Sequence, residues 1–136
     1  MRREFFGYPV RTSLYRGEDD YFHENPHVAG MAADDGSIVF NPYSPDSVDR
    51  NAVGVNEAAR LWMREHNFES AFPLTEKQKA FFEGSEYEGN LPEARRSILA
   101  RIISGDPSAQ DSNGLQKAFA RYVAQEMTKR TQRSKP

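Results

Sequence analysis

The chain contains no cysteine. Disulfides, iron–sulfur clusters, cysteine zinc sites and a thiol nucleophile are therefore excluded, and a reducing compartment is permitted. No hydrophobic run approaches the ~20 apolar residues of a membrane-spanning helix. The opening Met1-Arg2-Arg3-Glu4-Phe5-Phe6 lacks a long apolar region ahead of a small-residue cleavage site, so no secretory signal is expected. A cytoplasmic protein with no membrane partner is the expectation. Histidine is scarce, with three in all. There is no phosphate-cradling glycine loop and no G-x-S-x-G nucleophile elbow.

What is present fits one modest core. The 136 residues are 38% hydrophobic and 28% charged, ordinary for a single globular domain. The net charge of −2 is unevenly spread. Residues 28–90 hold 11 acids against 5 bases, whereas residues 91–136 hold 4 acids against 9 bases. Such a split allows one end to meet an acidic partner, and equally allows the two parts to attract each other.

Residues 1–24 carry Phe5, Phe6, Tyr8, Tyr15, Tyr21 and Phe22. They read as an arm over the core with a short edge strand, Gly17-Glu18-Asp19-Asp20 forming a turn. His27 to Ala33 and Ser37 to Phe40 read as paired strands around Asp35-Gly36, a two-residue hairpin signal. That register places Ala33 opposite Ile38 and Met31 opposite Phe40 on one face, with Val28, Ala32 and Val39 on the other. Both faces are apolar, so the ribbon should be covered on both sides. Gly30 leaves room for a close neighbour.

Asn41-Pro42-Tyr43 ends the second strand. Ser44 as cap and Pro45 in the first turn then predict a helix. Val48, Ala52, Val55, Ala59, Trp62 and His66 trace its buried face, and Asn67 is its stop. Thr75 with Gln78 caps a short helix through Phe81-Phe82. Asn90 with Glu93 caps another, whose stripe is Leu91, Ala94, Ile98 and Ile102, ended by Ser104-Gly105-Asp106-Pro107. A last helix is predicted from about Gly114 to Thr128 with Leu115, Phe119, Tyr122 and Glu126 on one side. Residues 1–128 read as a single domain, and Lys129 to Pro136 as a basic, disordered tail with nothing to bury. The expected fold class is α+β: an N-terminal arm and β-hairpin packed against about four α-helices.

Two constellations have the letters of chemistry. His23-Glu24-Asn25-Pro26-His27 matches H-E-x-x-H, which needs both histidines on one helical face. Pro26 opposes helical geometry, so the segment reads as a polar turn. Asn56-Glu57-Ala58-Ala59-Arg60 lies on the long helix, after a strand and an Asn-Pro loop. In that order, residues 36–66 resemble a degenerate zincin peptidase core. The resemblance implies Asn56 and Arg60 at the two histidine places and Glu57 at the general-base place. Asparagine is a weak zinc ligand and arginine has no acceptor. The residues themselves read as an Asn56–Arg60 rim pair with Glu57 facing solvent. No metal and no cofactor are expected.

Asp34 and Asp35 mark the hairpin tip. With Asp46 and Asp49 they offer oxygen ligands to a divalent ion, or, for Asp46 and Asp49, favourable charge at a helix start. Arg95, Arg96 and Arg101 share one helix, and Lys117 and Arg121 the next. These are candidate binding residues for phosphate or acidic protein.

The leading expectation is a small non-enzymatic protein that binds another macromolecule, a protein first, through the acidic hairpin side with Asp34 and Asp35 or through the basic C-terminal helices. In texture the chain resembles accessory proteins of bacteriophages and prophages, which implies an inhibitor of a host system or a virion component. The alternatives are a zincin-like hydrolase using Glu57 and a nucleic-acid-binding protein using the basic C-terminal helices.

Overall fold

The long helix predicted from the apolar spacing is the centre of the molecule. A computed structural model describes residues 2–45, 47–67, 72–82, 91–109 and 112–133. In chain order the described elements are β1 (Glu4–Phe5), β2 (Tyr8–Pro9), α1 (Arg16–Glu24), β3 (Gly30–Ala32), β4 (Ile38–Phe40), α2 (Arg50–His66), α3 (Glu76–Phe82), α4 (Leu91–Ser104), a 3-10 turn at Pro107–Ala109, and α5 (Gly114–Arg133). The fold is α+β, as expected, with two small antiparallel hairpins, β1–β2 and β3–β4.

α2 packs against α4 and α5 on one side and against the β3–β4 hairpin on the other. The main core holds Phe5, Tyr8, Ile38, Trp62, Met63, Phe72, Leu99 and Val123. A second cluster of Phe22, Ala33 and Val39 fills the far side of the hairpin. The ribbon is thus covered on both faces, by α2 and by α1.

Several local expectations are corrected. Gly17 to Asp20 is helical, because α1 uses its acidic residues rather than turning on its glycine. Glu18 Oε1 accepts the Tyr15 N–H at 2.9 Å, and Glu18 and Asp19 sit at the positive end of the helix. The hairpin register is one residue off the expected one: Gly30 pairs with Phe40, Met31 with Val39 and Ala32 with Ile38. Gly36 has φ +84° while Asp35 has no positive φ, so a two-residue type I′ turn is not formed. The loop is Asp34-Asp35-Gly36, with the Ala33 N–H on Ser37 O at 2.8 Å and the Ser37 N–H on Asp35 Oδ1 at 2.9 Å. One residue of slip turns β3 over relative to β4, so Ala32, not Met31 and Ala33, joins Ile38 and Phe40 at the main core.

α2 starts at Arg50 rather than behind Ser44. Its cap is Asp49, whose side chain accepts the Ala52 N–H at 3.2 Å. Ser44 instead bonds back to Asn41 O at 2.8 Å, and buried Asn41 holds the loop by donating to Val28 O and accepting from the Tyr43 N–H. Asn67 ends α2 in the left-handed conformation, as expected. Thr75 and Gln78 form the anticipated reciprocal cap of α3. Asn90 lies outside the described residues.

On α5 the buried face is Gln116, Ala120, Val123 and Met127, while Leu115 and Tyr122 are exposed. The phase is set by Gln116. It caps Asn113 reciprocally and reaches Pro73 O and Gln78 from a fully buried position. α5 also continues to Arg133, past the expected end at Thr128.

Candidate functional site

Glu57 is buried, not solvated. Its helix is covered from both sides, so a position opposite the core stripe meets the hairpin instead of water. Gly30 is what allows the approach: a Cβ there would lie 2.8 Å from Val53 Cγ1 and 3.7 Å from Glu57 Cγ. Glu57 is 7% exposed, and its Oε2 is buried without a hydrogen-bond partner. Burial raises its carboxyl above the ordinary range, and Glu93 adds to this. Arg60 and Arg64 pull the other way. Desolvation is the largest cause, since burial disfavours the charged form of a carboxyl.

Around it stands a polar wall built from α2 and α4. Arg60 Nε donates to Asn56 Oδ1 at 3.2 Å, the expected rim pair, and lies 3.6 Å from Glu57 Oε1. Arg60 Nη1 lies 3.6 Å from Glu93 Oε2, and Arg64 Nη2 lies 3.8 Å from Glu93 Oε1. Arg96 pairs with the same carboxylate. Arg64 Nη1 also donates to Ala32 O at 2.7 Å, tying the wall to the strand.

The wall borders a cleft of about 580 Å³ that Gly30, Asn56, Glu57, Arg60, Arg101 and Gly105 help to line. A smaller recess of about 280 Å³ continues past Tyr21, Met31 and Arg64. A third of about 710 Å³ follows between α1 and the hairpin, reaching Arg11, Tyr15 and Asp35.

The residues singled out in the sequence separate accordingly. Asn56, Glu57, Arg60 and Arg101 share the first cleft. Arg96 joins through Glu93. Asp34 and Asp35 line the third recess, where Asp35 meets Arg11 at 3.1 Å. Its carboxyl is held low, first by the Ser37 N–H and then by Arg11. Arg95 is half-buried with its Nε unpartnered. Lys117 and Arg121 are exposed on α5 and line none of these recesses. Arg64 and Glu93 are the site residues missed in the sequence. Arg64 was legible as the residue one turn after Arg60, on the same rim.

The metal reading does not fit these residues. Asn56 Oδ1 accepts from Arg60, a cation occupies one ligand place, and the Arg60 guanidinium stands beside the Glu57 carboxylate. His23 and Glu24 close α1, and Asn25 is its cap, so His27 lies beyond the helix. His66 stacks on Trp62 with ring centroids 4.1 Å apart. Among the described residues, no three histidine, aspartate or glutamate side chains converge. Asp46 lies outside the described residues, and Asp49 serves as the α2 cap. No described helix is long and apolar enough to cross a membrane.

The fold and site define a small α+β protein with an arginine-walled groove beside a β-hairpin. Against protein-family models, curated proteins and solved structures, the chain has no match.

Proposed function

We propose that the protein is a non-enzymatic binding module that receives an acidic segment of a protein partner in the cleft between β3, α2 and α4. One observation carries this reading. Arg60, Arg64 and Arg96 converge on the carboxylate of Glu93, with Glu57 buried beside them. Among the described residues this wall sets three arginines against two carboxylates, Glu57 and Glu93, while the rest of the cleft lining adds Arg101 with Asp49 and Asp106. Guanidinium groups bind carboxylates through paired, directional hydrogen bonds. A partner's aspartates or glutamates would balance the wall. This is the accessory role expected from the sequence, with the contact face placed in the groove instead of on the acidic hairpin side or the exposed C-terminal helix.

Affinity capture from a bacterial lysate tests it, using the intact chain and the reversals Arg64→Glu and Arg101→Glu. The expected result is a protein retained at moderate salt by the intact chain and lost from both variants. Retention of nucleic acid, falling steeply with salt and abolished by Lys117→Glu with Arg121→Glu, would replace this reading with the nucleic-acid one. Turnover of a small substrate that stops with Glu57→Gln would replace it with the enzymatic one.

A further inference from the structure

The β3–β4 hairpin has two outer edges, and they are treated differently. In an antiparallel ladder successive residues alternate between bonding the partner strand and pointing away. The Ala33 N–H goes to Ser37 O and the Asn41 N–H to Ala29 O, so residues 29, 31 and 33 face β4. Gly30 and Ala32 consequently direct their N–H and C=O groups outward. On the other strand the outward Ile38 O accepts the Arg11 N–H at 2.9 Å, and Val10 bridges to Ile38. That edge is already extended. On the β3 edge, among the described residues, Arg64 Nη1 on Ala32 O is the one hydrogen bond.

The groove follows this open edge. Its successive parts share Ala32, Met31 and Arg64, and then Gly30, Glu57 and Arg60. We infer that β3 is a strand-addition site, where the partner's acidic segment lies extended beside Gly30–Ala32 and enlarges the hairpin to three strands. This rests on the binding role proposed above and specifies its geometry. Main-chain bonds to Gly30 and Ala32 supply affinity, and alternate side chains supply selectivity. Residues on one face of the added strand meet Arg60 and Arg64 and are acidic. Those on the other meet Tyr21 and Met31 and are apolar. Arg64 guards the vacant edge, since a charged side chain there opposes indiscriminate pairing. Its guanidinium leaves Ala32 O for the partner's carboxylate when the strand arrives.

The probe is a library of nine-residue peptides alternating glutamate with varied apolar residues, read by fluorescence polarisation against the full chain. The best binder is remade with N-methyl groups on every glutamate amide or on every apolar amide. Strand addition uses one set only, so one form should bind like the parent and the other at least ~10-fold more weakly, as expected when main-chain hydrogen bonds carry binding. The Gly30 and Ala32 amides should become protected from hydrogen exchange, and Arg64→Glu should weaken the parent. If both methylated forms bind alike while Arg64→Glu still weakens binding, strand addition is wrong and the acidic-partner reading survives. If no peptide binds, or binding ignores both Arg64→Glu and Arg101→Glu, both readings fall. A dimer of the free chain with Gly30 and Ala32 already protected would assign the edge to a second copy and overturn the proposal.

Discussion

The ring of Phe5 lies against the backbone of Gly54, so close that a Cβ on the glycine would stand 2.3 Å from Phe5 Cζ. Phe5 is 2% exposed and cannot move into open space. Gly54 thus belongs in α2 for packing, although glycine costs a helix interior roughly 1 kcal/mol relative to alanine. Gly54→Ala should destabilise the protein by about 1–3 kcal/mol, since overpacking outweighs the gain in propensity. Gly17→Ala, in α1 with nothing within 4 Å of the new Cβ, should be neutral or slightly stabilising. Urea unfolding of the two variants distinguishes packing from propensity. Equal shifts in the same direction would contradict the Phe5–Gly54 contact.

Glu57 makes stability depend on pH with a definite sign. Its folded carboxyl is raised, chiefly by burial. The folded state therefore holds the proton more tightly than the unfolded chain. Its contribution is complete below the ordinary glutamate range and is lost as pH rises through the raised folded value. Glu57→Gln keeps the shape and removes the titration. The variant should match the parent in mild acid and exceed it in stability at neutral and alkaline pH. Urea midpoints for both proteins, measured from pH 4 to pH 9, check this. A parent that gains on the variant as pH rises would show that the Arg60 and Arg64 charges outweigh burial.

Arg11 fixes the N-terminal arm to both α1 and the hairpin. Its guanidinium takes Glu18 with two bonds, at 2.8 and 2.7 Å, and reaches Asp35 at 3.1 Å. It also lies 4.2 Å from the centre of the Tyr15 ring. The Glu18 carboxyl is held below its ordinary value, first by the Arg11 bond. That stabilisation is present above the ordinary glutamate range and is lost as pH falls through the depressed folded value, opposite to Glu57. Arg11→Lys keeps the charge but not the fork, and should cost about 1–2 kcal/mol, in the range of a charge-assisted hydrogen bond with partial exposure. The deficit should shrink in acid, where Glu18 is protonated. An unchanged deficit at low pH would assign the loss to packing.

The sequence was clearest where one segment decides its own structure. The 3.6-residue spacing of Ala59 and Trp62, the Thr75–Gln78 box and the Asn67 stop could all be read locally. Where two distant segments decide, the reading slipped. Asp35-Gly36 is a hairpin signal, but the loop takes three residues, and the β3 side chains change sides relative to β4. Glu57 points away from the Ala59–Trp62 stripe, which ordinarily means water; only the tertiary placement of β3, permitted by Gly30, buries it. The spacing points to Leu115, Phe119, Tyr122 and Glu126 as the α5 stripe, while a buried polar residue, Gln116, sets the phase. The site inherits this division. Asn56–Arg60 is a local pair and was legible, but the convergence of α2 and α4 on Glu93 joins residues about thirty positions apart in sequence and was not.

Arg130 shows that part of the expected tail is structural. Its Nη1 donates to Phe6 O at 3.0 Å, its guanidinium lies 3.7 Å from the centre of the Tyr8 ring, and Nη2 stands 3.7 Å from Glu65 Oε1. Glu65 in turn accepts the Tyr8 hydroxyl at 3.0 Å. Burial and then this carboxylate raise the Tyr8 phenol above its ordinary range, which favours its role as donor to Glu65. Phe6 has φ +54°, unusual for a bulky residue, and its carbonyl is the atom Arg130 holds. The end of α5 thus restrains the strained β1–β2 turn. Arg130→Ala should cost about 1–2 kcal/mol, the range for a charge-assisted bond with a partly exposed cation. It should also speed hydrogen exchange at the Val10 amide, which bonds Arg3 O at 2.8 Å across that hairpin. Removing residues 129–136 should do the same, whereas removing only 134–136 should leave the amide protected. If the longer truncation leaves Val10 exchange unchanged, the tail carries no restraint and α5 ends functionally near Thr128.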